Sequence, residues 1–164
     1  MPDVTLRRAT PDDASTIHEL IRALAAYERE PDAVRATPES LAAQMRSERP
    51  PFECLLAERA DRGAARAVGF ALFFTTYSTW RGRPGLWLED LFVREEERGR
   101  GAGGALLRAL GALAVERGCG RLEFSVLDWN EPAIGFYRSL GAAPMDAWTT
   151  FRFEGESLER LGRS

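Results

Sequence analysis

The chain has 164 residues, enough for one domain with its own core and no stapling. A hydrophobic share of 45% and a charged share of 29% belong to a globular protein, and a net charge of −3 gives nucleic acid no basic field to bind. No apolar run nears the ~20 residues of a membrane span and the N-terminus has no signal-peptide pattern, so a cytoplasmic protein without a membrane partner is expected.

In chain order, residues 4–9 alternate like a first strand. Thr10-Pro11-Asp12-Asp13 then starts a helix: a Thr cap, Pro at the first helical position and acids in the first turn. Ile17, Leu20, Ile21 and Leu24 carry it at helical spacing to about Glu28. Thr37-Pro38-Glu39-Ser40 opens a shorter helix through Met45. Residues 52–60 and 67–77 read as a β-hairpin, and 85–93 as the next strand. A glycine-rich loop leads into a helix that runs to about Arg117 and closes at Gly118. A strand over 121–127, a helix from Asn130 through Tyr137 ending at Gly141, and a last strand over 148–153 complete the chain. The order β-α-α-β-β-β-α-β-α-β predicts a single α/β domain over 1–164, with a mixed sheet flanked by helices. The unit from 85 to 127 is expected to be a right-handed parallel crossover.

Two cysteines are too few for a disulfide framework; Cys54 is expected in the core and Cys119 in a loop. No His/Cys cluster suggests a metal. All 22 basic residues are arginine, which codon usage explains without function. His18 lies beside the apolar stripe of the first helix with no nucleophile near it. The acidic run Glu95–Glu97 reads as a solvated turn.

The chemistry concentrates in VREEERGRGAGGALL. Glycines between a strand and a helix leave backbone N–H groups free at the positive end of a helix dipole, which makes an anion site. Gly99, Gly101 and Gly104 satisfy G-x-G-x-x-G, with Glu123 roughly 20 residues on, as a dinucleotide site requires. Three acids and an arginine separate the loop from its strand, however, and Glu123 falls inside a strand. Too little chain remains for further βαβ units. A P-loop needs a lysine, and there is none.

The register Arg98-x-x-Gly101-x-Gly103, after LEDLFV and before an amphipathic helix, resembles the acetyl-CoA loop of the GCN5-related N-acetyltransferases. DWNEPAIGFY resembles that family's second half-site; Asn130 and Tyr137 are seven apart and share a helix face. YSTWRGR, LEDLFV, CGRLEFSVLDWNEPAI and LGA together resemble the branch of diamine (spermidine/spermine) and thialysine acetyltransferases, over nearly the whole chain. Ser78 stands where polyamine-acetylating members carry an acid, as in the thialysine enzymes. The acid-rich insertion before the last aromatic strand is absent too.

The resemblance implies direct attack of a primary amine of a small molecule on the thioester of acetyl-CoA. It places backbone contacts to the cofactor at Leu91, Phe92 and Val93. Pyrophosphate falls to Arg98, Gly99, Arg100, Gly101, Ala102, Gly103 and Gly104, and the pantetheine side to Asn130, Glu131, Pro132 and Ala133. Tyr137 becomes the proton donor to the thiolate, and Glu89 the acceptor of the amine's proton through a water. Tyr27, Glu28, Glu89, Asp90, Glu123, Phe124 and Ser125 become substrate contacts. Glu89 and Asp90 would face opposite sides of a regular strand, but strands of the family carry a bulge here that could turn both toward the cleft. The branch also implies a homodimer pairing the C-terminal strand region. A protein N-terminal or lysine acetyltransferase and a non-catalytic acyl-CoA sensor are the alternatives, the second opposed by the presence of Glu89, Asn130 and Tyr137.

Overall fold

Thr10 and Thr37 each open a helix. The Thr10 backbone N–H donates to Asp13 Oδ2 at 2.7 Å, Pro11 fills the first turn, and this turn is 3₁₀ before the α-helix proper begins. Arg7 grips the same carboxylate with both Nη atoms, at 2.8 and 2.7 Å, and holds Asp13 well below its usual range, at about 2. The second start is a reciprocal cap: Ser40 N–H donates to Thr37 Oγ1 at 3.1 Å, and Thr37 N–H donates to Ser40 Oγ at 2.9 Å.

The structure, a computed structural model, describes residues 3–163. The chain divides into two compact units, Met1–Ser125 and Val126–Ser164. The first contains β1 (Thr5–Arg8), α1 (Ala14–Tyr27), α2 (Pro38–Met45), β2 (Glu53–Asp61), β3 (Ala64–Ser78), β4 (Arg83–Val93), α3 (Ala102–Glu116) and β5 (Leu122–Glu123). Its sheet runs in the order β1-β2-β3-β4-β5, antiparallel except for the parallel β4–β5 pair that closes the predicted crossover. Period-two alternation gives the sheet two apolar faces. One packs Cys54, Leu56, Phe70, Leu72 and Phe92 beneath Ile17, Leu20 and Leu24 of α1 and Leu41 of α2. The other packs Val68, Ala71, Phe73, Leu86 and Leu88 beneath Leu106 and Leu110 of α3. Each of the Val, Leu, Ile and Phe side chains among them, fully buried, contributes roughly 1.5–3 kcal/mol. Burial also pushes the Cys54 thiol up to about 12, leaving it an inert core residue.

The second unit carries α4 (Glu131–Ser139) and α5 (Gly155–Gly162). Asn130 is the buried residue among those described in it, 7% exposed, and its side chain caps α4 by accepting from Ala133 N–H at 3.4 Å.

Three expectations are corrected. The strand over 121–127 shortens to Leu122–Glu123, because its ladder with β4 reaches only Leu86 and Trp87 before β4 bulges two residues later. Residues 148–153 form no strand: alternation supplies a face, but a strand also needs a neighbour for its N–H and C=O groups, and the segment is exposed throughout. Helix α5 was not expected; Glu154 and Ser157 cap it reciprocally, Glu154 N–H donating to Ser157 Oγ at 3.1 Å and Ser157 Oγ to Glu154 O at 2.7 Å.

Candidate active site

Strand β4 changes parity in mid-course. Leu86 and Leu88 pack on the α3 side, and so do Leu91, three residues beyond Leu88, and Val93. An odd step on one face needs one extra residue. The register with β3 supplies it: Leu88 faces Phe73 and Asp90 faces Leu72, so Glu89 has no partner in the pairing. Glu89 emerges opposite Leu88, on the α1 side, and Asp90 shares the face of Leu72, which is the same one. The bulge thus sets two adjacent carboxylates on a single face.

Helix α1 ends over that face. Asp90 feels the charge of Glu28 as well as that of Glu89. Partly buried, Asp90 is pushed up to about 7, first by desolvation and then by its two acidic neighbours. Burial also raises Glu28. Glu89 is exposed and accepts from Trp87 Nε1 at 2.9 Å. Glu123, level with Trp87 in the β4–β5 ladder, shares this face and lies 3.6 Å from Arg121 Nη1. Phe124 instead packs with the α3-side cluster, and Ser125 is exposed beyond the ladder.

Because β5 stops so early, β4 from Leu88 to Val93 has a strand on only one side among the described residues. Leu91 and Val93, which lie between the residues hydrogen-bonded to β3, therefore keep part of their backbone capacity for another occupant, whereas Phe92, opposite Phe70, spends its own on β3. The glycine loop follows at once. Gly99 (φ +73°) and Gly101 (φ +87°) take the left-handed conformation that side chains resist. Gly101 caps α3 without a side-chain bond, so the first amides of the helix, at Ala102, Gly103 and Gly104, stay open to an anion. A side chain at Gly99 would meet nothing within 4 Å. These features fit a pyrophosphate.

The loop's cations are already engaged. The Arg98 guanidinium lies 4.3 Å from the centre of the Tyr27 ring and 5.6 Å from that of Phe92, while its Nε–H donates to Val93 O at 3.1 Å. It ties the loop to the end of α1. Arg100 Nη1 donates to Glu97 Oε2 at 2.8 Å. Glu97 corrects the reading of a solvated run: at 9% exposure it is buried, with Arg59 Nε 3.0 Å from the same oxygen. Sequence reasoning missed both residues, and three consecutive acids gave no sign that the third turns inward.

In the second unit, Asn130 caps α4 and Tyr137 follows two turns later, half-buried, with its ring 5.4 Å from that of Phe136. Glu131 and Pro132 are exposed in the first turn, with Ala133 receiving the cap.

Residues 16–142 match the acetyltransferase (GNAT) family. The chain belongs to that family. It is 38% identical to the thialysine N-epsilon-acetyltransferase of Sus scrofa over 98% of both chains. With the L-ornithine N5-acetyltransferase of Arabidopsis thaliana it shares 31% identity, over 96% of this chain and 87% of the relative. Among solved structures, an integron cassette protein from the mobile metagenome of V. cholerae superposes with a TM-score of 0.80 at 25% identity, over 99% of both chains. The mixed sheet flanked by helices is the GNAT fold, and the protein is an acetyltransferase. GNAT acetyltransferases draw their acetyl group from acetyl-CoA.

Proposed function

We propose that this acetyltransferase moves the acetyl group of acetyl-CoA to a primary amine of a small molecule, a thialysine-like amino acid or a diamine or polyamine, by direct transfer. One observation carries the reading: two carboxylates, Glu89 and Asp90, on one sheet face, with a third, Glu28 at the end of α1, near enough for its charge to act on Asp90. An anionic patch of that kind suits an ammonium substrate. The names of the relatives, thialysine and L-ornithine acetyltransferases, support the same class.

Bound acetyl-CoA supplies a thioester whose acyl carbon accepts the amine. The open edge at Leu91 and Val93, flanking Phe92, the amides from Gly99 to Gly104 with Arg98 and Arg100 alongside, and the α4 start at Asn130, Glu131, Pro132 and Ala133 would hold it. An alkylammonium near pKa 10.4 is neutral only about one part in 2,500 at pH 7, which costs ~4–5 kcal/mol. Glu89 accepts the proton through a water, since direct contact would stabilise the charged amine. Asp90, near neutrality for want of a counter-charge, ionises when an ammonium arrives and so recognises it, beside Tyr27, Glu28 and Glu123. Tyr137 hydrogen-bonds the departing thiolate; full proton transfer from a tyrosine of pKa about 10 to a thiolate of about 8.5 is uphill by roughly 2 kcal/mol.

The reading includes one domain over 1–164, and the family match spans the boundary at Ser125. It includes a homodimer, in keeping with the apolar side chains exposed at Met145, Trp148, Phe151 and Phe153. It also includes a cytoplasmic setting, which suits the free thiols of Cys54 and Cys119. No helix among the described residues is long and apolar enough to cross a membrane, and none of their His, Cys, Asp and Glu side chains form a group fit for a metal.

Purified protein with acetyl-CoA and an amine panel (thialysine, lysine, ornithine, putrescine, spermidine, an N-terminal peptide) tests the reading by following CoA release. Turnover of a small amine, with kcat about 10–100-fold lower in Tyr137→Phe, is expected. Turnover of the peptide alone would move the enzyme to protein substrates, and tight acetyl-CoA binding with no turnover would make it a sensor. Spermidine turned over without thialysine would overturn the reading of Ser78.

A further inference from the structure

Arg59, on β2, is one of the few charged side chains withdrawn from solvent, at 7% exposure. Its Nη1 donates to Asp3 O at 2.7 Å and its Nη2 to Arg100 O at 2.8 Å. Its Nε lies 3.0 Å from Glu97 Oε2, the oxygen that also accepts from Arg100 Nη1. Arg100 is therefore held twice, by its carbonyl and by its side chain, from two charges that are themselves buried together. It is also the residue between Gly99 and Gly101, both left-handed. Glycines are the pivots of a loop and lose the most backbone freedom when it orders. A grip on the single residue between two pivots removes that freedom in advance.

We propose that Arg59 and Glu97 are positioning residues that preset the acetyl-CoA loop, holding the Arg100 peptide so that the amides of residues 99–104 converge on the pyrophosphate before it arrives. The inference rests on the acetyl-CoA reading given above. It assigns the pair a part in cofactor affinity and none in the chemical step. A buried ion pair seldom adds net stability over an apolar pair of similar size. A pair kept in this place is better explained by what it orders. Arg59 reaches the loop from a strand more than thirty residues earlier in the chain, so the preset shape is built into the rigid sheet rather than into the loop's own sequence.

The test uses two variants, because Arg59→Met alone would leave the buried Glu97 with Arg100 as its single partner and confuse a lost grip with an uncompensated charge. Glu97→Gln keeps the shape and a weaker hydrogen bond; Arg59→Met/Glu97→Met removes both charges together. The expected result is an acetyl-CoA Kd and KM raised about threefold in the first and about tenfold or more in the second. At saturating acetyl-CoA, kcat and the amine KM should stay within about twofold, with Tm held or raised. Amide hydrogen exchange of residues 98–102 in the ligand-free protein should quicken about tenfold in the double variant, while α1 and β3 are unchanged. Unchanged exchange and affinity in a folded double variant would overturn the proposal. So would a uniform fall in Tm, kcat and both KM values, which marks an ordinary structural pair. Failure of the wild type to bind acetyl-CoA would sink the cofactor reading instead, and the exchange measurement would still decide whether the pair sets the loop.

Discussion

The two ends of the second half of β4 handle charge in opposite ways. At the bulge, Glu89 and Asp90 stand with Glu28 near them, and burial and like charge push Asp90 to about 7. At the glycine loop every arginine is occupied: Arg98 over Tyr27, Arg100 on Glu97, Arg59 on Glu97 and two carbonyls. Apart from the buried Arg59 Nε–H, which lies near Glu97 without making a hydrogen bond, what is left over at the loop is backbone N–H; at the bulge it is carboxylate. The lesson is that an unmet electrostatic need is a better guide to a ligand than a count of charges. A cation relieves the first end, and an anion finds open amides at the second.

Three measurements bear on that contrast. Glu89→Gln removes the exposed acid that takes the proton, and kcat at pH 7 should fall about 10²–10⁴-fold with acetyl-CoA affinity unchanged. An equal loss in both would mean that the two ends do not work separately.

Asp90→Asn should change stability more than it changes cofactor binding. The folded pKa of Asp90, about 7, lies above the ordinary 3.8 of an unfolded chain. As pH rises from about 4 to about 7 the unfolded chain therefore gives up this proton first, and the native state loses stability. Above pH 7 the penalty is complete, on the order of 2–4 kcal/mol. Denaturant unfolding at pH 5 and pH 8 should show the Asp90→Asn variant gaining on the wild type at the higher pH, and the amine KM should rise. A gain at pH 5 and none at pH 8 would reverse the sign and the account.

The smallest effect belongs to the loop. Gly101→Ala places a Cβ at φ +87°, a strain of roughly 1–2 kcal/mol; the part that the free loop escapes by relaxing must be taken up again on binding, so acetyl-CoA KM should rise by up to about tenfold with the amine KM unmoved. A change in the amine KM alone would put the loop's part in doubt.

Much of the frame was legible because its signals are local. Thr10 and Thr37 cap within three residues of themselves, and period-two runs announced β2, β3 and β4. What was not legible depends on remote partners. The run over 148–153 looks like a strand until one asks what would pair with it. Glu97 looks solvated because its partner Arg59 lies on β2, and Arg59 gives no sign of burial because two of its acceptors are main-chain carbonyls, at Asp3 and Arg100. The site residues divide in the same way. The glycines could be read from their spacing, whereas the desolvation of Asp90 comes from how α1 and the sheet close around it.

A counterfactual strand makes the purpose of the bulge plain. Delete either acid from β4 and regular alternation returns: Leu86, Leu88, Leu91 and Val93 still face α3, and Phe92 still faces α1. The core would not register the loss of that residue. The insertion interrupts a ladder and gives packing nothing in return; it adds a second carboxylate beside the first, next to the point where β5 ends and leaves the edge of β4 open. A strand one residue shorter would fold around the same centre with half the acid at its mouth.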